Sequence, residues 1–430
     1  MEIDLQSIKK VHFVGIGGIG ISAIARLLHQ SGKEISGSDM AFSPITHQLR
    51  DLGITIYQGH SADNLSSHID LVVHTIAIPE DNPEIIEARK RNIVTVTYPQ
   101  ILAVISKNML TIAVSGTHGK TTTTAMFSKI LVDNHLDPTV IVGSLMKDSD
   151  SNLIVGKSNY FIVEACEYRR SFLNLSPTIL IITNVEEDHL DYYADIHDIQ
   201  SAFRELVLKI PRHGAIICNP SDPHVQPILA GLHCSIIDYT SFDANRLSLR
   251  VPGEHNRQNA SAAFCVAEFL QLDAQKILQS LGQFNGTWRR FDYAGKTKSG
   301  ALIYDDYAHH PQEIQAVLQG LVELYPHLKR VVFFQRHLFS RTKSLLAEFS
   351  ESFKHADEIY ILPIYAARED FDPSIDSQML VGKIPTGNAR YIETFEQAKN
   401  IIEALGENTV VLTIGAGDVY KISQMIDFEV

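Results

Sequence analysis

AVSGTHGKTTTTAM, residues 113–126, lies between the apolar run LTIAVSG and the helix-like run TTTTAMFSKIL. A glycine turn between a buried strand and a helix is where backbone N–H groups and the helix dipole hold phosphate. Gly119, Lys120 and Thr121 stand in phosphate-loop order, but the usual pattern is G-x-x-x-x-G-K-[ST]. Five residues before Gly119 stands Val114, and the nearest upstream glycine is Gly116, so this loop reads G-x-x-G-K-T. On this reading Lys120 meets the β- and γ-phosphates and the Thr121 hydroxyl holds Mg²⁺. The N–H groups of Gly119 to Thr122 cradle the phosphates. The competing reading is a threonine-rich helix cap, which four consecutive β-branched residues make a poor choice.

Strand, glycine loop and helix recur on either side. KVHFVGIGGIGISAIARLLHQSG opens the chain with the same sequence of elements, and ISGSD (35–39), LVVHT (71–75) and IVTVTY (93–98) continue a β/α alternation. After the central loop, YFIVEA, ILIITNV and GAIICN are continuous apolar runs, as expected of parallel strands covered on both faces. VPGEHNRQNASAAFCVAEFLQL reads as a turn and a helix of small residues. A third start, GALIYDDYAHHPQEIQAVLQGL, leads to RVVFFQ, DEIYILPIY and TVVLTIGAG. The expected fold is α/β in three domains: a Rossmann-like domain at 1–107, a central phosphate-loop ATPase-like sheet domain at 108–297, and a Rossmann-like domain at 298–430.

Gly15, Gly17, Gly18 and Gly20 fit G-x-G-x-x-G after a strand and before a helix, and Asp39 ends the next strand. Such a loop recognises a diphosphate on a ribose without naming the nucleotide. NAD is the obvious ligand, and a tight turn with no ligand is the structural alternative.

A chain of 430 residues exceeds one core. Its 45% hydrophobic and 20% charged content suits a folded soluble protein. A net charge of -13 argues against nucleic acid and anionic membrane as partners. Cys166, Cys218, Cys234 and Cys265 form no C-x-x-C pair, so zinc lacks support. Scattered thiols, no apolar leader and no run of 18 apolar residues together give the expectation of a cytoplasmic protein.

The shortened loop Gly116-Thr117-His118-Gly119-Lys120-Thr121-Thr122 resembles the ATP loop of the Mur ligases, which build the peptide stem of bacterial peptidoglycan. VHFVGIGGIGISAIA, SGSD, FIVEACEYRRSFL, TNVEEDHLDYY, PGEHNRQNASAA, GTWRRFD, DDYAHHPQE and FQRHLFSRT are similar to further family motifs, in order. They look most like the branch that adds L-alanine to UDP-N-acetylmuramate. DIHDIQSAF lacks the lysine that other branches carbamylate, which favours the same branch.

The resemblance implies ATP and two Mg²⁺ ions, with Thr121, Glu164 and His189 as metal ligands, and Mn²⁺ tolerated. It places Asn256 and Asn259 near adenine and phosphates, and Arg290 on the γ-phosphate. By residue type alone, a helix cap is the favoured reading of Asn256 and a surface charge that of Arg290. Asp306, Tyr307 and His309 match positions that help hold adenine and the incoming amino acid, with His309 a candidate base for the amine and the substrate phosphate the alternative. Gly15, Gly17, Gly18, Gly20, Ser38 and Asp39, with His74 and Thr75 in HTIAIPEDNPE, would then hold the UDP-sugar instead of NAD. In FQRHLFSRT, Leu338 and Arg336 depart from the family pattern, leaving His337 and Arg341 at the amino-acid end, with Arg341 on the carboxylate and Arg336 a candidate to compensate for the arginine missing at Leu338.

The implied activity is ATP-dependent joining of L-alanine to the lactyl carboxylate of UDP-N-acetylmuramate through an acyl phosphate, by a monomer or weak homodimer that closes on its substrates. A murein-tripeptide recycling ligase is the nearest alternative. An NAD-dependent oxidoreductase leaves the second loop, Glu164 and His189 without work, and intact Lys120, Thr121, Glu164 and His189 argue against a non-catalytic ATP-binding module.

Overall fold

The computed structural model describes residues 3–190, 192–367 and 369–429. Three sheets follow one another along the chain, in two compact units. The first unit comprises Met1–Asp243 with Ser261–Ser280, and the second Ala244–Ala260 with Leu281–Val430.

The first sheet contains β1 (Lys10–Val14), β2 (Glu34–Asp39), β3 (Thr55–Gln58), β4 (Leu71–His74) and β5 (Val94–Thr97). Its order is β3-β2-β1-β4-β5, with every pairing parallel. The order reverses at β1, so a crevice opens at the C-terminal ends of β1 and β4. Helix Ile19–Gln30 starts there, and its buried Ile21, Ile24 and Leu28 recur at helical spacing. IVTVTY divides into strand and helix: Thr97 and Gln100 cap a helix that begins at Tyr98, with Pro99 in its first turn.

The second sheet contains β6 (Leu110–Ser115), β7 (Thr139–Met146), β8 (Ser151–Ile154), β9 (Tyr160–Glu164), β10 (Ile179–Ile182), β11 (Ala215–Cys218) and β12 (Ser235–Asp238). Its order is β12-β11-β10-β6-β9-β7-β8, parallel except for the β7–β8 hairpin. Ile112 to Val114, Phe161 to Val163, Ile179 to Ile182 and Ala215 to Cys218 are buried, as helix-covered parallel strands require. This sheet and the first share one core. Arg26 of helix Ile19–Gln30 donates to the Asn152 and Ser151 side chains of the hairpin, and Asn152 Nδ2 donates back to the Ile19 carbonyl.

The third sheet contains β13 (Asp292–Lys296), β14 (Leu302–Asp306), β15 (Lys329–Phe334), β16 (Glu358–Ile361), β17 (Ala389–Tyr391) and β18 (Thr409–Ile414). Its order is β13-β14-β18-β15-β16-β17, and β13 alone is antiparallel. The sequence places Asp305 and Asp306 after a strand. The structure instead makes them the last residues of β14, opposite Thr413 and Ile414 of β18. Among the described residues no helix is long and apolar enough to cross a membrane.

Candidate active site

Two glycine conformations make the central loop. Gly116 (φ 130°) and Gly119 (φ 83°) lie in the left-handed region. A Cβ on Gly116 would overlap Thr183 Oγ1 and come within 2.8 Å of the Asn184 carbonyl oxygen. The loop is tied to the segment after β10: Glu186 N donates to Thr117 Oγ1 (2.8 Å) and His118 N donates to Asn184 Oδ1 (2.9 Å). Helix Lys120–Asp133 begins directly after Gly119, so its first N–H groups point out of the helix end.

Lys120 does not project away from the loop. Its Nζ donates to the carbonyls of Gly116 (2.6 Å) and Thr117 (3.1 Å) and to Glu167 Oε1 (3.0 Å). Burial disfavours the ammonium, but the Glu167 charge more than offsets this and raises its pKa above the ordinary lysine value. Burial likewise opposes the Glu167 carboxylate, and Lys120 and His189 hold its pKa below the usual value.

Thr121 Oγ1 donates to Glu164 Oε2 (3.1 Å). Glu164 also accepts the Gly143 N–H, and a Cβ on Gly143 would come within 2.7 Å of Glu164 Oε2. His189 (φ 56°) turns its Nε2 to Glu167 Oε1 (3.6 Å) and Asp188 Oδ2 (3.7 Å), with its ring 4.8 Å from Tyr168. The expected trio is thus divided: Thr121 meets Glu164, and His189 meets Glu167. Among the described residues no group of three or more His, Cys, Asp and Glu is poised around one metal position. Hydroxyl and carboxylate oxygens at the mouth of a phosphate loop nevertheless suit Mg²⁺, which keeps its waters and takes phosphate oxygens. Glu167 and Gly143 were not singled out in sequence. EACEYRR lies in a family-like segment that assigns this glutamate no role, and Gly143 is an ordinary strand residue until Glu164 is laid beside it.

At the first loop, Gly15 (φ 78°) and Ile16 donate their N–H groups to the Ser38 carbonyl (2.9 and 3.0 Å), and Gly17 N donates to Asp39 Oδ2 (2.8 Å). A Cβ on Gly20 would meet the Tyr98 hydroxyl at 2.7 Å. Gly18 caps the following helix without a side chain. Ser38 Oγ donates to Glu84 Oε2 (2.6 Å), a fully buried carboxylate that also faces His12 Nε2 (3.6 Å) and His60 Nδ1 (3.5 Å). His74 ends β4 with Nδ1 3.1 Å from the Thr75 carbonyl, and burial lowers its pKa.

In the second unit, Arg289 (φ 58°) and Phe291 (φ 49°) are left-handed on either side of Arg290. The two arginines differ in burial, although Arg289 too lies over the Tyr307 ring, 5.2 Å from its centre. Arg289 is buried, with Nε on Asp305 Oδ2 (2.7 Å), Nη1 on the Gly417 carbonyl (2.9 Å) and Nη2 on that of Gly415. Arg290 lies over the Tyr307 ring, 5.0 Å from its centre. Asp306 accepts the N–H groups of Phe291 (2.6 Å) and Ala308 (2.7 Å). His309 Nδ1 is 3.6 Å from Glu313 and its ring 6.2 Å from that of His337, which stacks on Tyr365. Asn256 Nδ2 donates to the Pro252 carbonyl (2.6 Å), and Asn259 Nδ2 to Asn256 Oδ1 (3.5 Å). Leu338 (φ 71°) is buried at the start of helix Phe339–Ser344, which carries a half-buried Arg341. Arg336 runs into the interior to the Asp376 carbonyl (2.8 Å), where burial lowers its pKa to about 10.

Burial pushes the Asp306 carboxyl up to about 6, although Arg290 and the two N–H donors favour its charge. An unfolded aspartate ionises near 4. Between about pH 4 and pH 6 the folded chain keeps a proton that the unfolded chain has lost, so this group makes stability fall as pH rises. Relative to Asp306→Asn, the wild type is expected to lose up to about 3 kcal/mol between pH 4 and pH 7, two pKa units at about 1.4 kcal/mol each. Urea unfolding of both proteins across that range checks this, and parallel profiles would refute it.

Comparison with known proteins accounts for all three sheets. Residues 10–109 match the model of the Mur ligase family catalytic domain, 114–246 that of the Mur ligase middle domain, and 289–417 that of the Mur ligase glutamate ligase domain. The UDP-N-acetylmuramate–L-alanine ligase of Clostridium acetobutylicum is 41% identical, with 99% of each chain covered. The chain belongs to the Mur ligase family. As a Mur ligase it is an ATP-dependent carbon–nitrogen ligase. A second relative, the UDP-N-acetylmuramate–L-alanine ligase of Alkaliphilus metalliredigens, is 42% identical over 99% of this chain and 98% of its own. Among solved structures, a UDP-N-acetylmuramate-alanine ligase from Thermotoga maritima superposes with TM-score 0.81 at 30% identity, covering 96% of this chain and 97% of that one. A murein peptide ligase from Psychrobacter arcticus shares the fold, with TM-score 0.70 at 23% identity and 97% of each chain covered.

Proposed function

We propose that this Mur ligase joins L-alanine to the lactyl carboxylate of UDP-N-acetylmuramate at the expense of ATP, in peptidoglycan precursor synthesis. The observation that carries this reading is the 41–42% identity to UDP-N-acetylmuramate–L-alanine ligases over 99% of the chain. The murein peptide ligase, by contrast, supports only the fold.

The proposed chemistry is two displacements. The lactyl carboxylate oxygen attacks the γ-phosphorus, the bond to the bridging oxygen breaks, and ADP leaves behind an acyl phosphate. The L-alanine amine then attacks the acyl carbon, the C–O bond breaks, and phosphate leaves as the amide forms. Lys120 and Arg290 serve the charge on the transferred phosphoryl oxygens. The N–H groups of the loop from Gly116 to Thr122 hold the other phosphate oxygens. Thr121, Glu164 and His189 are the proposed divalent-cation ligands; two Mg²⁺ ions, when bound, supply further positive charge to the phosphates. Asn256, Asn259, Asp306 and Tyr307 serve the nucleotide. Gly15, Gly17, Gly18, Gly20, Ser38, Asp39, His74 and Thr75 serve the UDP-sugar. His309 takes the amine proton, its ring held by the 3.2 Å approach of Nδ1 to the Tyr307 carbonyl, with Glu313 3.6 Å away. His337 and Arg341 serve the amino acid.

The test is phosphate release from ATP with Mg²⁺ and UDP-N-acetylmuramate, comparing L-alanine with the L-Ala-γ-D-Glu-diaminopimelate tripeptide. Release with L-alanine alone supports the proposal; release with the tripeptide alone assigns the recycling reaction. Arg341→Ala is expected to raise the L-alanine KM about tenfold or more, the worth of a charge-assisted carboxylate contact, with little change in the ATP KM. An unchanged alanine KM would remove Arg341 from that role.

A further inference from the structure

We propose that Glu167 is a positioning residue that competes with phosphate for Lys120. A lysine ammonium has three protons to donate, and here all three are committed: to the Gly116 carbonyl, the Thr117 carbonyl and Glu167 Oε1. Two of these acceptors belong to the loop itself. Only Glu167 comes from another element, and it alone carries a charge. A phosphate oxygen therefore gains this ammonium by displacing a carboxylate at 3.0 Å.

Glu167 is built to stay where it is. The residue is 3% exposed, and its main-chain carbonyl accepts both the Tyr193 hydroxyl and the Arg170 N–H. Left-handed Arg169 (φ 51°) and Arg170 (φ 54°) turn the chain directly after it. Its Oε1 also faces His189 Nε2 at 3.6 Å, while Oε2 is buried with no hydrogen-bond partner. When Lys120 transfers to phosphate, Glu167 keeps the imidazole beside it, so the carboxylate is not left alone in the interior. The lysine on its flexible four-carbon stem is the group that moves. Glu167 thereby sets how readily the loop accepts nucleotide and keeps Lys120 from standing unpaired.

This inference rests on the nucleotide reading of the central loop, and calorimetric titration of the full chain with ATP in EDTA separates the two. Glu167→Gln is expected to bind metal-free ATP on the order of tenfold more tightly than wild type, a typical coupling between charges in contact. In a Lys120→Ala background the same substitution is expected to give no gain, because the competitor has lost its target. Glu167→Asp, which keeps the charge and shortens the reach, is expected to give a smaller gain and serves if the glutamine variant does not fold. Equal or weaker binding by both Glu167 variants would overturn the inference. So would a gain that persists in the Lys120→Ala background, since it would report only the loss of a nearby negative charge. A wild type that binds no ATP would instead overturn the nucleotide site itself.

Discussion

Lys120→Ala is expected to lower kcat about 10²- to 10³-fold, the effect of removing one preorganised charge from a transition state. This corresponds to about 3–4 kcal/mol of barrier. The same substitution also has a structural consequence. Lys120 is paired with Glu167, a carboxylate at 4% side-chain exposure, and breaking a buried pair from one side costs up to about 3–5 kcal/mol, less here because His189 still faces the carboxylate. A drop in activity alone would therefore be ambiguous. The double variant Lys120→Ala with Glu167→Gln separates the two effects, because it removes both buried charges. Chemical unfolding is expected to show most of the stability restored in the double variant, while phosphate release stays at the level of Lys120→Ala. Recovery of turnover together with stability would show that Lys120 acts only by holding the loop together.

Arg289→Ala is expected to destabilise the second unit by about 3–5 kcal/mol, again because it strands a buried charge. Arg289 is the cation on Asp305, and it also ties down the Gly415 and Gly417 carbonyls, which join the end of β18 to the loop beyond it. Burial already raises the Asp305 carboxyl above its usual value, against the pull of Arg289 and Thr413. Without the arginine it rises further, and the folded variant keeps a proton that its unfolded chain loses near pH 4. The variant's stability therefore falls with rising pH, and its deficit is larger at pH 8 than at pH 5. Urea unfolding at both values, with Asp305→Asn added to the variant, checks the assignment. The added substitution is expected to flatten the pH dependence. A deficit below about 1 kcal/mol, the usual range of an exposed ion pair, would show that this pair is not the structural tie described.

The contrast between Arg289 and Arg290 also marks the limit of sequence reading. Two adjacent arginines in GTWRRFD are chemically the same until backbone geometry separates them. Both guanidiniums lie over the Tyr307 ring, but only Arg289 is buried and bonded to Asp305, while Arg290 stays half-buried. Nothing in residue type or spacing announces that division. The same holds for EACEYRR, where Glu167 lies within a family-like segment but acquires a role only when β9 brings it beside the loop after β6. Glu84 is a third case. As one of several acidic residues in HTIAIPEDNPE it is unremarked, yet it is fully buried and organises Ser38, His12 and His60 beneath the first glycine loop.

Edge elements were hidden for a different reason. β8, β12 and β17 are short, and β12 and β17 are largely exposed, so they carry little of the apolar patterning that betrays buried strands. The antiparallel β7–β8 hairpin breaks a parallel pattern that the apolar runs could only extend.

By itself the sequence determined the α/β class, three successive sheets, both glycine loops, and the family, because those depend on local signals: apolar runs, glycines that permit left-handed backbone, and loops directly ahead of helices. Only the tertiary structure decided which charges are paired, since pairing joins residues far apart in the chain. It set Lys120 against Glu167, Thr121 against Glu164, His189 against Glu167 and Arg289 against Asp305. Burial makes each of those pairings consequential, and burial is a property of the packed whole.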